Sequence, residues 1–110
     1  MAGTFELKAS AGQFMFNLKA SNGEPILTSE RYTTKASAEG GIASVKVNAP
    51  DNARYDRKTS ASGQSYFVLK GKNGEPLGTS EMYSSVGARD GGIDAVKRGA
   101  PTAPTQDLTK

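Results

Sequence analysis

The sequence predicts an α+β fold: an antiparallel sheet of about six strands, built from two tandem β-β-β-α repeats with pseudo-two-fold symmetry, both helices on one face. Three observations lead there. Residues 12–50 recur at an offset of 51, with 20 of 39 positions identical. Each copy opens on runs that alternate apolar and polar residues, the period of a half-buried strand. Each then closes on apolar residues at helical spacing, Ala38, Ile42, Val45 and Ala49 in the first copy, Ile93, Val96 and Ala100 in the second.

In the first repeat (3–50), residues 4–9 alternate as a first strand and residues 13–20 as a second, with Phe14, Phe16 and Leu18 on one face. In the second repeat (54–101) that face holds Phe67 and Leu69, and Phe5-Glu-Leu-Lys8 matches Tyr55-Asp-Arg-Lys58 after a one-residue slip. Asn22-Gly23 and Asn73-Gly74 are strong hairpin signals, because a tight primed turn needs positive φ at its central residues. A third strand follows at 26–32, and its counterpart at 77–83. The register of that hairpin has two solutions. A two-residue turn sets Phe16 opposite Ser29 and puts Leu27 on the core face; a three-residue loop exchanges the faces and turns Ile26, Thr28, Glu30 and Tyr32 inward.

Thr34 or Ser37 can cap the first helix, Ser84 or Ser85 the second, and Ala49-Pro50 and Ala100-Pro101 end them. Gly40-Gly41 and Gly91-Gly92 fall inside these helices, where each glycine costs about 1 kcal/mol relative to alanine. Close backbone approach is the expected compensation, which makes Gly41, Gly92 and their neighbours Ile42 and Ile93 structural residues. The pair is no phosphate cradle, which needs its glycines between a strand and a helix start.

Each half is too short to offset its own ordering entropy alone, so the 110 residues are expected to form one domain (1–101) around one core. Residues 102–110 are polar and interrupted by proline, the composition of a disordered tail. The formal charge of +3 divides as +1 over residues 1–50 (5 Lys/Arg, 4 Asp/Glu) and +2 over the rest (9 against 7), weaker than a dedicated nucleic-acid binder concentrates on one face. Cysteine and histidine are both absent, which removes thiolate chemistry, the commonest metal ligand and the commonest general base. No cofactor fingerprint or metal spacing is present. Neither a signal peptide nor a membrane span is visible, and a cytoplasmic location is the expectation.

Asn-Gly-Glu-x-Ile/Leu-x-Thr-Ser-Glu-x-Tyr, followed by Gly-Ile-x-x-Val-Lys and Asn/Gly-Ala, resembles the YegP-like family of small bacterial proteins of unknown function, twice, over residues 3–101. The resemblance implies single-copy members that dimerise, and a two-copy chain that builds the same sheet within a monomer. It also admits a strand exchanged between halves, with residues 55–59 as the exchanged element. It transfers no catalytic or binding residue. The second copy departs from the first at Arg57 for Leu7, Ser65 for Phe14, Gly78 for Leu27 and Gly87 for Ala36, which implies a thinner core there.

Three groups of residues are candidates for function. Asn22-Gly-Glu-Pro25 and its copy can display a carboxylate at a hairpin tip, although the turn by itself demands Asn22, Gly23, Asn73 and Gly74. Glu30 and Glu81, in the repeated Thr-Ser-Glu-x-Tyr, can form a carboxylate pair of the glycosidase type with Tyr32 and Tyr83 beside them; the plain reading is strand and packing residues. Lys19, Lys70 and Lys72, with Arg54, Arg57, Lys58, Lys97, Arg98, Tyr66 and Phe14, can make a sheet face that holds a nucleic-acid strand or other anion; the plain reading is solvated surface with Glu24 and Glu75 as counterions. The sequence therefore favours a small non-enzymatic interaction module with a protein partner. Nucleic-acid binding ranks second, and a two-glutamate hydrolase third.

Overall fold

The computed structural model describes residues 2–109, so Met1 and Lys110 lie outside the described residues. Strands β1 (Ala2–Ser10), β2 (Gln13–Ala20) and β3 (Pro25–Ser29) precede helix α1 (Lys35–Asn48). Strands β4 (Tyr55–Thr59), β5 (Ser65–Lys70) and β6 (Pro76–Ser80) precede helix α2 (Val86–Gly99), and a last strand β7 (Thr105–Asp107) follows. All seven form one sheet in the order β4-β5-β6-β3-β2-β1-β7. The two halves meet where β3 and β6 pair antiparallel, with Thr28 opposite Thr79 at the pseudo-two-fold axis.

The register question resolves through a combination that neither simple turn contains. Gly23 N–H bonds to the Ala20 carbonyl (2.9 Å) and Ala20 N–H to the Glu24 carbonyl (2.8 Å), which makes Ser21-Asn22-Gly23 a three-residue loop. Only Gly23 carries positive φ, at 88°. Asn22 serves differently, its Oδ1 accepting the Glu24 N–H at 3.0 Å. Lys19 then pairs with Pro25, but Leu18 pairs with Leu27, so Ile26 is an extra residue that shifts the ladder. The bulge returns Leu27 to the core face. Gly74 (φ 84°) and the extra residue Leu77 repeat the arrangement in β5–β6.

The primed two-residue turn lies elsewhere, at Ala11-Gly12, where φ is 53° and 78° and Ser10 pairs with Gln13. The equivalent β4–β5 loop is one residue longer, closed by Gly63 N–H to the Ser60 carbonyl and Ser60 N–H to the Gln64 carbonyl. That extra residue is the one-residue slip between the copies.

A second bulge explains Thr-Ser-Glu-x-Tyr. Beyond Ser29 the ladder would continue, but Phe14 bridges Tyr32, one residue further along. Ser29 Oγ fills the gap: it accepts the Phe16 N–H at 2.8 Å and donates to the Glu30 carbonyl at 2.7 Å. Ser80 does the same for Phe67 (2.9 Å) and Glu81 (2.8 Å). The bulge brings Tyr32 over Phe16 (centroids 6.3 Å, 14° between planes) and Tyr83 over Phe67 (6.5 Å, 11°).

One core cluster holds Phe5, Leu7, Phe16, Leu18, Leu27, Tyr55, Phe67 and Leu69 from the sheet, with Ala38, Ile42, Val45, Ile93 and Val96 from the helices. Both helices therefore cover one face. Thr34 caps α1 by accepting the Ser37 N–H, and Ser85 caps α2 by accepting that of Ala88. Gly41 and Gly92 admit the tyrosines. A Cβ on Gly41 would stand 2.8 Å from Tyr32 Cζ and 3.0 Å from Phe16 Cε2, and one on Gly92 2.7 Å from Tyr83 Cζ. Gly40 and Gly91 face open space, so close approach accounts for only one glycine of each pair. Gly78 is explained by the axis: a Cβ there would lie 2.7 Å from Leu27 Cγ, and one leucine fills the space that two symmetric ones would claim.

Two expectations are corrected. β4 pairs with β5 of its own half, so residues 55–59 are not exchanged. Of the tail expected to be disordered (102–110), the described residues 102–109 are held against the sheet, and Lys110 lies outside the described residues: Thr105–Asp107 adds a parallel strand beside Phe5, Glu6 and Leu7, which makes the sheet mixed and seven-stranded. Proline is no obstacle there, because the Pro104 carbonyl accepts the Phe5 N–H at 2.9 Å, and Leu108 N–H closes the pairing on Leu7 at 2.8 Å. Ala103 is buried, and Lys35 Nζ meets Asp107 Oδ2 at 2.6 Å.

Replacing Gly41 by alanine is expected to destabilise the fold by about 1–2 kcal/mol, overpacking against Tyr32 outweighing the helix-propensity gain. Gly40→Ala is expected to be neutral or to stabilise by up to about 1 kcal/mol. Urea denaturation of the two variants checks the contrast. The Lys35 hydrogen bond, followed by those from Thr109, holds the Asp107 carboxyl well below the usual carboxylate range. A depressed folded-state pKa means stability present above the ordinary value and lost as pH falls through the folded one. Amide exchange at 105–107 is therefore expected to rise relative to β2 below about pH 3, whereas in Asp107→Asn, which has no carboxylate to protonate, it is expected to be raised already at neutral pH.

Candidate functional site

The face of the sheet opposite the helices carries the side chains that alternate with the core. One line crosses six strands: Glu6, Asn17, Thr28, Thr79, Val68 and Asp56, each paired with the next. Thr28 is exposed at its centre, Asn17 Nδ2 donates to Thr28 Oγ1 at 2.9 Å, and a carboxylate stands at each end.

Each carboxylate sits between two lysines. Glu6 lies 3.2 Å from Lys19 Nζ and 3.6 Å from Lys8 Nζ. Asp56 lies 3.0 Å from Lys70 Nζ and 3.5 Å from Lys58 Nζ. The Lys70 hydrogen bond, helped by the charge of Lys58, holds the Asp56 carboxyl below its ordinary value. Lys19 and Lys70 thus pair with Glu6 and Asp56, not with Glu24 and Glu75. Within these two clusters, four lysines meet two carboxylates, a local surplus of two positive charges. Tyr66, opposite Lys58, and its counterpart Met15, opposite Lys8, supply half-buried apolar surface beside the charges.

The structure thus brings Lys19, Lys70 and Tyr66 to one face. Lys72 is exposed in the β5–β6 turn at the margin of the sheet. Phe14 does not belong to this face; it packs against the core cluster with Phe16. The other basic residues serve the helix side: Arg98 pairs with Asp94 (3.0 Å), Arg57 with Asp90 (3.6 Å), Arg54 with Asp51 (3.3 Å), and Lys97 lies over the Tyr55 ring. Glu6, Lys8, Asp56 and the two threonines escaped sequence reasoning, although the period-2 pattern that buries Phe5 and Leu7 already turns Glu6 and Lys8 the other way.

Glu30 and Glu81 are exposed and do not form a pair. Leu27 faces Ser80 and Ser29 faces Gly78, so the glutamates leave the β3–β6 ladder at opposite ends. Continued ladder geometry separates them by four residues along the strand direction, roughly 13 Å. Glycosidase carboxylates stand about 5–9.5 Å apart. Each glutamate instead neighbours the tyrosine of its own repeat, where burial first and the glutamate charge second push the Tyr32 and Tyr83 hydroxyls up. Among the described residues no group of three or more acidic side chains is placed to hold a metal ion, and no helix is long and apolar enough to cross a membrane.

Comparison with known proteins agrees with the duplicated architecture. Two tandem segments, residues 9–56 and 60–107, match a domain family described as of unknown function, DUF1508. A UPF0339 protein of Bordetella pertussis is 60% identical over 110 residues, covering 100% of this chain and 99% of that protein. The UPF0339 protein YegP of Escherichia coli (strain K12) is 51% identical, covering 99% and 100%. The solution NMR structure of YegP from E. coli superposes with a TM-score of 0.91 at 51% identity, covering 99% of this chain and 95% of that one. That of a UPF0339 protein from Shewanella oneidensis superposes with a TM-score of 0.93 at 49% identity, covering 99% and 93%. With both repeats matched and the whole chain shared at this identity, the protein belongs to the DUF1508 family, as a two-repeat, YegP-like member.

Proposed function

We propose that the protein is a non-enzymatic binding module whose recognition surface is the uncovered face of the sheet. The observation that carries this reading is the twofold lysine–carboxylate–lysine arrangement, Lys8-Glu6-Lys19 and Lys58-Asp56-Lys70, set on either side of Thr28 and Thr79. Six of the seven strands hold it, and the two halves present similar groups at a fixed spacing. Such a surface suits a partner protein with acidic and hydroxyl-accepting side chains at two points. The absence of histidine and cysteine from the chain and the separation of its two repeated glutamates support the binding reading over a two-glutamate hydrolase.

A specific observation favours a second reading, an extended anionic strand such as single-stranded nucleic acid. Tyr66 stands beside Lys58 on the same face as Lys70, the combination of stacking ring and cation used for such ligands. Its few lysines imply weak affinity that falls with salt, with a slope of about 0.7 for each lysine engaged.

Placing a photo-crosslinking residue at Tyr66 is expected to give a discrete partner adduct in cells, and the same residue at exposed Val47 on α1 is expected to give none. Equal labelling at the two positions would remove the sheet-face reading. In an amide-resolved titration with a mixed single-stranded oligonucleotide, shifts at Lys19, Tyr66 and Lys70 that fade with salt would favour the nucleic-acid reading. An unperturbed face at low salt would exclude it.

A further inference from the structure

The two outer edges of the sheet are equivalent by the pseudo-two-fold axis, and only one is covered. β7 lies along β1, while β4 ends the sheet with no strand beyond it among the described residues. Leu7 faces Phe16 as Arg57 faces Phe67, so β1 and β4 share one register. The Leu7 carbonyl points outward to Leu108 N–H, and by the same register the Arg57 N–H and carbonyl point outward into an open edge. The start of the edge is matched as well: Asn52 O takes the Tyr55 N–H where Pro104 O takes that of Phe5.

Charge distinguishes the two edges. Beside β7, Lys35 and Lys46 are balanced by Glu39 and by Asp107 of the strand itself, Thr105 and Glu39 lining a shallow groove of about 260 Å³ with Lys46. At the β4 edge Val86 stands in place of Lys35, and Arg57 and Arg89 replace Leu7 and Ala38. Arg89 Nη2 and Arg57 Nε share one carboxylate, Asp90, at 3.2 and 3.6 Å. Arg57 Nη2 and Lys97 Nζ share one amide oxygen, Asn52 Oδ1, at 3.1 and 2.7 Å. Three cations therefore face a single anion, a surplus of two, where the covered edge is neutral; a carboxylate placed as Asp107 is in the other half would offset one of them.

We propose that the β4 edge under α2 is a receptor for one extended acidic segment of a partner protein. The segment lies parallel to β4 as β7 lies along β1, with a carboxylate level with Arg57 held by Arg57 and Arg89. A lone strand fits this site better than the sheet edge of a second copy, because side chains of α2 reach this edge, Asp90 to Arg57 and Lys97 to Tyr55, as Lys35 of α1 reaches Asp107 of β7. The surface is separate from the open sheet face, so failure of either reading leaves the other standing.

The probe is a capped peptide with the sequence of residues 103–109, whose Thr105–Asp107 this fold already shows in the required extended, parallel-paired form. Added to the isotope-labelled full chain, it is expected to shift the amides of Arg57, Lys58 and Thr59 and the Arg89 side-chain Nε–H. The peptide with asparagine for its aspartate is expected to bind at least about tenfold more weakly. Arg57→Leu and Arg89→Ala restore the residues that the first repeat carries, which protects folding, and each is expected to weaken binding by a similar factor. Equal affinity for the two peptides, shifts confined to β1 through displacement of β7, or no shift at millimolar peptide would overturn the proposal. Concentration-dependent shifts at Arg57 without peptide would overturn it too, by assigning the edge to a second copy.

Discussion

The pairing of β3 with β6 is the constraint on which the rest of the structure depends. Each repeat alone is a three-stranded sheet with one helix, too small to bury a core of its own. Joining the third strands side by side makes one sheet and lets both helices close on one apolar cluster. The junction cannot be symmetric at the atomic level, because side chains next to a two-fold axis meet their own copies. Leu27 over Gly78 is the solution reached here. A single chain can place different residues at the two positions, which two identical subunits cannot. Gly78 is thus a packing requirement of the axis, and the implied thinness of the second core is partly a leucine lent by the first.

Much of the fold was legible in the sequence because the repeat exposed it. The offset of 51 separated elements from loops, alternation gave the strands, and Ala49-Pro50 and Ala100-Pro101 marked both helix ends where Ala49 and Ala100 in fact cap them. The hairpin register was not legible. The loop takes three residues, the facing matches a two-residue turn, and the discrepancy is absorbed at Ile26 and Leu77. A bulge leaves no periodic signature, since both neighbours of the extra residue keep their apolar character. The primed turn at Ala11-Gly12 was equally hidden, because alanine at positive φ is a conformation that tertiary context imposes and propensity does not favour.

The repeated Thr-Ser-Glu-x-Tyr shows why identity between copies is a poor guide to chemistry. Ser29 stands in for a carbonyl in a broken ladder, Tyr32 stacks on Phe16, and Gly41 makes room for the ring. These three residues lie up to 12 positions apart, yet each requires the others: without the bulge the tyrosine would not reach the helix, and without the glycine the helix would not accept it. The second repeat keeps the set as Ser80, Tyr83 and Gly92. The glutamate between them is exposed in both copies and shares in these contacts only through its backbone carbonyl, so the repetition of its side chain has no packing explanation.

Positions where the copies diverge carry the complementary information. Substitutions scattered through a duplicated fold would signal drift, but several of these gather at one place. Lys35, Leu7 and Ala38 surround the strand that the chain supplies to its own β1, and their counterparts Val86, Arg57 and Arg89 surround the edge that the described residues leave bare. Ala38 is wholly buried, whereas Arg89 at the same helical position keeps its backbone and stem inside and sends a guanidinium toward Asp90. Placing an arginine stem at a core position costs apolar packing and desolvates a charge, and neither is recovered from the shared Asp90 alone. Open edges are commonly blunted by charge, and Arg57 or Lys58 would suffice for that. A second guanidinium anchored from beneath the helix adds nothing to such protection, but it does add a donor where an incoming carboxylate would lie. The duplicated fold thus keeps identical the residues that build the two halves, and differs where one half is closed by its own chain and the other remains open.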